Sequence, residues 1–196
     1  MLISIILAHP KPASFNHAIA HVAAETLRAG GHSVNYHDLC AEGFDPLLPA
    51  GELARGPVAD PVIAKHLDEL KAADGIIVVH PNWWAQPPAI LKGWVDRVLR
   101  MGQAYEFRPN AAGEIVPVGL LKARSAIVFN TSNTPQEKEV ALYGDPLDNL
   151  WKTCTFNFVG IKDVYRKQFN PVIISTPAQR EAWLAEVAAT VRRYYP

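Results

Sequence analysis

Cysteine, charge imbalance and long hydrophobic runs are all scarce in this sequence. Two of its 196 residues are cysteines, Cys40 and Cys154, in no metal or redox spacing. That excludes a disulfide framework and a thiolate metal centre, and leads us to expect a reduced, cytoplasmic setting. Lys plus Arg and Asp plus Glu each number 19, so the net charge is zero. With no basic excess to neutralise phosphates, a nucleic-acid partner is not expected. No acidic excess is available for docking an electron-transfer partner either. The apolar run at residues 1–8 stops at His9-Pro10, lacks a basic leader and is far too short to span a bilayer, so no membrane insertion is expected. Several motifs are missing: G-x-G-x-x-G after the first strand, a Walker loop, G-x-S-x-G, H-E-x-x-H and Cys-x-x-Cys. Repeats and low-complexity segments are absent.

What is present is alternation. Hydrophobic residues make up 49% of the chain, enough for a large core, and fall into strand-length runs separated by amphipathic stretches. Strands are expected at 2–8, 33–37, 75–79, 124–129 and 161–169, the last more polar and so at an edge. Helices are expected at 15–28, 61–72, 88–100, 146–156 and 176–193. Asp60-Pro61 and Thr176-Pro177 carry the cap-then-proline signature of helix starts. The order βαβαβαβαβα implies one α/β domain over residues 1–196. It would be a three-layer sandwich around a five-stranded parallel sheet of flavodoxin-like order 2-1-3-4-5. An excursion at about 101–123 interrupts the pattern before the fourth strand and is too long for a simple connection.

Open sheets of this kind bind ligands beyond the carboxyl ends of their strands. Three loops therefore matter. After strand one, His9, Ser14 and Asn16 surround a helix start, a natural anion site that a plain N-cap with a bystander histidine would also explain. After strand three, Trp83 and Trp84 stand in a proline-bounded loop and offer flat apolar surface; packing at the sheet edge is the alternative. After strand four, Asn130-Thr131-Ser132-Asn133 is an amide-rich turn able to donate to a polar ring edge, or simply turn chemistry. Other residues read as structural. Trp94 belongs to the core and Tyr194-Tyr195 to packing, and His17 and His21 are surface histidines. Lys92, Asp96, Arg97 and Arg100 form a solvated helix face or an interface. No metal site is expected.

The run His-Pro-x-x-x-Ser-Phe-Asn-x-Ala at 9–18 resembles the flavin-phosphate loop of NAD(P)H:quinone oxidoreductases. Pro-x-x-Trp followed by Pro-Ala-Ile-Leu-Lys-Gly-Trp-x-x-Arg-Val at 81–98 resembles their isoalloxazine loop and the helix after it. Residues 103–106 and 119–122 resemble the family's excursion. The resemblance spans nearly the whole chain and implies a flavodoxin-like flavoprotein. Such an enzyme passes hydride from NAD(P)H through flavin to a quinone-like acceptor by a ping-pong mechanism, usually as a homodimer. By that resemblance His9, Ser14, Phe15, Asn16 and Ala18 fall on phosphate positions. Pro81, Asn82, Trp83, Trp84 and Ala85 fall on ring positions, and Asn130, Thr131, Ser132 and Asn133 replace the family's Thr-Thr-Gly-Gly. Tyr143 falls near a histidine that takes part in the family's charge relay and is the catalytic candidate. Arg180 resembles an arginine near the adenylate of FAD, which favours FAD over FMN. The alternatives are a flavodoxin-type electron carrier and a regulatory flavoprotein subunit of a potassium-efflux system.

Overall fold

The structure, a computed structural model, describes every residue except Ala54, Arg55 and Pro57. Five parallel strands form the central sheet: β1 (Leu2–Leu7), β2 (Ser33–Asp38), β3 (Gly75–Pro81), β6 (Ser125–Thr131) and β7 (Asp163–Phe169). Their spatial order is β2-β1-β3-β6-β7, the flavodoxin-like winding read from the sequence. β7 lies at an edge, as its polarity suggested. The insertion before β6 folds into a two-stranded antiparallel hairpin, β4 (Tyr105–Pro109) and β5 (Ile115–Gly119).

Side chains alternate across the sheet with period two. Ile6, Ile76, Val78, Ala126 and Val128 face one core, which they share with Trp94, Leu67 and Trp151. Ile3, Ile5, Ile77, Val79, Ile127 and Phe129 face the other, beneath α1 (Phe15–Ala29) and α6 (Pro177–Tyr194). Both faces are covered, which is why the inner strands β1, β3 and β6 read as nearly unbroken apolar runs, while the edge strands β2 and β7 are more polar. The caps are the expected ones. Ser14 caps α1, Asp60 caps α2 (Pro61–Ala72) through the N–H groups of Val62 and Ile63, and Thr176 caps α6. Tyr195 packs over Gly75, where a Cβ would sit 2.3 Å from its ring. The Tyr195 hydroxyl lies 3.3 Å from the carbonyls of Ile76 and Ser125, and burial pushes its pKa up to about 12.

Several expectations need correction. α3 runs over Ala89–Val98, and Arg97 on it is no part of a solvated face. Arg97 is 2% exposed and donates to Glu52 Oε1 at 2.5 Å, Asp60 Oδ2 at 2.8 Å and the Asp45 carbonyl at 2.7 Å. It ties Asp45, Glu52 and Asp60 to α3, and Gly93 lets Pro46 approach the helix, since a Cβ there would strike Pro46 at 2.3 Å. Arg100 likewise joins Glu52. Lys92 and Asp96 do form an exposed pair. His21 is exposed, but His17 is half-buried and joins Ser14 to Asp38. After β6 the chain forms a helix that the sequence reading missed, α4 (Gln136–Tyr143). The expected helix at 146–156 is a short α5 (Pro146–Asn149) running into a π-helical stretch, Leu150–Phe156.

Candidate functional site at the carboxyl edge of the sheet

The three loops meet around one cavity of about 750 Å³, within the size range of small-molecule sites. Its first wall is the start of α1. Ala13 adopts φ 56° and turns the chain so that Ser14 enters the cap position. The Ser14 hydroxyl accepts from the His17 backbone N–H at 3.4 Å and lies 2.8 Å from His17 Nδ1. His17 Nε2 lies 3.0 Å from the Asp38 carboxylate, which favours a proton on Nε2 and leaves Nδ1 to accept from Ser14. The first intrahelical bond runs from Ala18 N to the Ser14 carbonyl, so the N–H groups of Phe15 and Asn16 have no partner among the described residues. They are free helix-terminal donors beside the cavity. Burial pulls the pKa of the neighbouring His9 below the ordinary imidazole value.

The second wall is the loop after β3. Trp83 and Gln86 exchange backbone hydrogen bonds at 3.0 Å, and Trp84 and Ala85 between them have φ 56° and 57°. Two non-glycine residues in left-handed geometry at the tip of a tight turn are strained by about 1–3 kcal/mol each, a cost that clusters at binding sites. Trp84 is 98% exposed and Trp83 lies 6.0 Å from the His9 ring.

The third wall follows β6. Thr131, Ser132, Asn133 and Thr134 line the cavity together with Glu139 and Tyr143 of α4. The Ser132 N–H bonds the Phe169 carbonyl and Asn133 Oδ1 accepts from Ile173 N, which fixes this turn to the chain after β7. From that segment Val172 and Arg180 close the cavity. The Arg180 guanidinium donates to Ser175 Oγ at 2.7 Å and the Val172 carbonyl at 3.1 Å, and sits 5.8 Å over the Phe15 ring.

His9, Ser14, Phe15, Asn16, Pro81, Asn82, Trp83, Trp84, Ala85, Thr131, Ser132, Asn133, Tyr143 and Arg180 therefore come together as expected from sequence. Two residues do not line the cavity. Ala18 lies one turn into α1, and Asn130 is fully buried, its carboxamide bonded to Gln168 and Arg166. Lys11, Ala13, Thr134, Glu139 and Val172 also line it and were not foreseen. Lys11 lay within the motif already read, and Glu139 was hidden with its helix. Behind the wall, His80 accepts from Trp151 Nε1 at 2.9 Å and lies 2.8 Å from the Pro81 carbonyl; complete burial drives its pKa down to about 4.

A second polar cluster lies apart from the cavity. His37, Glu42 and His66 place ligand-type atoms within 4.8 Å of one another. Trp94 Nε1 donates to His66 Nδ1 at 3.1 Å, which puts the His66 proton on Nε2, facing Glu42. That arrangement is a hydrogen-bond chain and leaves no lone pair on His66 Nε2 for a metal.

Winding, site position and sequence together define the class. A family profile described as the flavodoxin-like fold matches residues 1–194, and the chain belongs to that family. Its relatives bear out the resemblance to the NAD(P)H:quinone oxidoreductase family. It is 34% identical over 191 residues to an NAD(P)H oxidoreductase of Haemophilus influenzae, covering 94% of this chain and 91% of that one. It is 30% identical over 206 residues to the ribosyldihydronicotinamide dehydrogenase [quinone] of Rattus norvegicus, covering 92% and 86%. The crystal structure of Smu.1420 from Streptococcus mutans superposes with a TM-score of 0.85 at 30% identity, over 98% of this chain and all of that one.

Proposed function

We propose that this chain is a flavin-dependent NAD(P)H oxidoreductase that delivers hydride to a quinone-like acceptor. The observation that carries the reading is the convergence of three carboxyl-edge loops on one cavity with two unlike ends. One end offers the unpaired N–H groups of Phe15 and Asn16 with Lys11 and Arg180 nearby, and suits a phosphate. The other offers the Trp83–Ala85 turn, the Thr131–Thr134 turn and Tyr143, and suits a planar ring with polar edges. Bound flavin would supply the hydride chemistry, accepting from NAD(P)H and passing on to the acceptor at the same face in ping-pong order.

The chain's own residues bind and orient. Phe15 and Asn16 hold the phosphate through backbone donors. Trp83 and Trp84 wall the ring, and the donors of Thr131–Asn133 meet charge that develops on it. To the Tyr143 hydroxyl, on the same wall, we assign the holding or return of a proton during transfer. We assign Arg180, on the cavity wall beside Phe15, to a second phosphate, and on that assignment favour FAD over FMN. A homodimer accords with the exposed apolar residues Trp84, Phe107 and Ile115. A cytoplasmic setting accords with the free thiols Cys40 and Cys154. No described helix is long and apolar enough to cross a membrane.

Fluorescence titration with FMN and FAD, followed by NADH and NADPH oxidation with a benzoquinone acceptor, tests the reading. Micromolar or tighter flavin binding and acceptor-dependent NAD(P)H oxidation are expected. Failure to bind either flavin at micromolar concentration would overturn it.

A further inference from the structure

Glu139 brings a carboxylate to the cavity wall although the residue is only 3% exposed. The groups behind it are bonded in one direction only. The series starts at Arg166, a guanidinium that can donate but never accept. Arg166 donates to Asn130 Oδ1 at 2.8 Å, which turns Asn130 Nδ2 toward Gln168 Oε1 at 2.7 Å. Gln168 Nε2 must then point the other way, and it donates to Glu139 Oε2 at 3.2 Å. Glu139 Oε1 receives Asn82 Nδ2 from the ring loop. Both oxygens of Glu139 are therefore acceptors, the pattern of an ionised carboxylate. Asn82 is turned so that its buried Oδ1 has no partner. Arg166 does not cancel the charge on Glu139, because Asp145 and Asp148 already face the guanidinium.

We propose that this directed chain holds Glu139 as a carboxylate at the ring end of the cavity and thereby keeps the reduction potential of bound flavin low. The inference rests on the flavin reading above. A flavin ring that accepts a hydride gains one negative charge, and a fixed carboxylate beside it weakens the reduced state relative to the oxidised one. Hydride is then passed on to the acceptor more readily. Glu139 acts as a positioning residue, through its field and through the orientation it gives Asn82.

Exchanging two residues tests this without breaking the chain. Gln168→Glu alone sets two carboxylates against each other and should lower the melting temperature of the flavin-free protein. Adding Glu139→Gln restores every donor to an acceptor: Asn130 donates to the new carboxylate, which accepts from the new carboxamide, which accepts from Asn82. It also moves the charge from the cavity wall to position 168, which does not line the cavity. The melting temperature of the double variant should return close to wild type; a double variant no more stable than Gln168→Glu would overturn the directed chain.

With flavin bound, the double variant should favour reduced over oxidised flavin by roughly five- to tenfold more than wild type does, the size of the Coulomb change at an effective dielectric of about 20. For a two-electron couple that is an upward shift of about 20–30 mV in midpoint potential, read by dye-equilibrated spectrophotometry. An unchanged potential in a double variant that binds flavin would overturn the role of Glu139 and leave the flavin reading standing. A wild-type protein that binds no flavin would remove both, while the melting measurements still report on the chain.

Discussion

Asn16 and Thr131 lie 115 residues apart and are joined side chain to side chain. Asn16 Nδ2 donates to Thr131 Oγ1 at 3.0 Å, and the Thr131 hydroxyl lies 3.4 Å from Asn16 Oδ1. Both residues are buried. The contact ties the first turn of α1 to the end of β6, and so joins the anion end of the cavity to the turn after β6. Asn16→Ala leaves the Thr131 hydroxyl buried without its partner. It should cost about 1–3 kcal/mol in urea unfolding and weaken flavin affinity as well. Unchanged stability would mean that the two walls are held together elsewhere.

Ser14 has a narrower role than its sequence position suggests. Its hydroxyl already caps α1 and bonds His17, so it must turn from His17 to donate to a bound phosphate. Ser14→Ala should therefore cost about 1 kcal/mol of stability from the cap. It should weaken FMN binding by roughly tenfold to a hundredfold, the value of one charge-assisted hydrogen bond. Riboflavin, which has no phosphate, is the control. Equal losses of FMN and riboflavin affinity would refute a phosphate contact.

Much of this architecture can be read in the residues. The β-branched run at 75–79 and the caps at Asp60-Pro61 and Thr176-Pro177 fix elements locally, and the three polar loops announce the site by following strands. Two parts could not be read this way. α4 is Gln-Glu-Lys-Glu-Val-Ala-Leu-Tyr, with Glu139 its single buried residue, so hydrophobic periodicity has nothing to report. Arg97 and Glu139 are charges that the chain buries, and only their distant partners, Glu52 and Asp60 or Asn82 and Gln168, reveal it.

Removing Arg97 should be severe for that reason. Arg97→Met leaves Glu52, itself 11% exposed by side chain, facing apolar surface with Arg100 as its one remaining ion-pair partner among the described residues. Breaking one partner of a buried ion pair costs about 3–5 kcal/mol. Chemical denaturation should show a loss of that order, whereas Lys92→Met, on the exposed face of the same helix, should change stability by less than about 1 kcal/mol. Equal effects of the two substitutions would argue that the Arg97 cluster is no more than a surface pair.

His80 predicts acid sensitivity. Its folded pKa is about 4, below the ordinary value of 6.5, with burial as the main cause. A base whose pKa is depressed by folding is neutral in both states at pH 8. As pH falls below 6.5 the unfolded chain takes up the proton and the folded chain does not, so stability falls until pH reaches about 4. At pH 5 this amounts to about 2 kcal/mol for one such group. His80→Gln keeps an acceptor for Trp151 and does not titrate. Urea unfolding of that variant at pH 7.5 and pH 5 should show a correspondingly smaller drop than wild type. An equal drop would place the acid sensitivity elsewhere, with His66, also lowered to about 4 by burial, as the next group to replace.

Tyr143 separates binding from turnover. It closes α4 as a residue 60% exposed at the cavity rim, and Gly144 follows in left-handed geometry with its N–H bonded to the Val140 carbonyl. The helix end is thus capped through backbone, and the tyrosine hydroxyl has no hydrogen-bond partner among the described residues. Tyr143→Phe should leave stability and flavin affinity at wild-type values. If the hydroxyl meets charge or a proton only as hydride moves, flavin reduction by NAD(P)H in a stopped-flow experiment should slow by roughly tenfold to a hundredfold, the loss of one hydrogen bond made in the transition state. Both the oxidised and the reduced half-reactions need measuring, because NAD(P)H and the acceptor occupy the cavity in turn. Slowing in both would place the hydroxyl at the ring itself, and slowing in one alone would assign it to that substrate. Wild-type rates in both would reduce Tyr143 to a rim residue and leave Thr131–Asn133 as the groups that meet the developing charge.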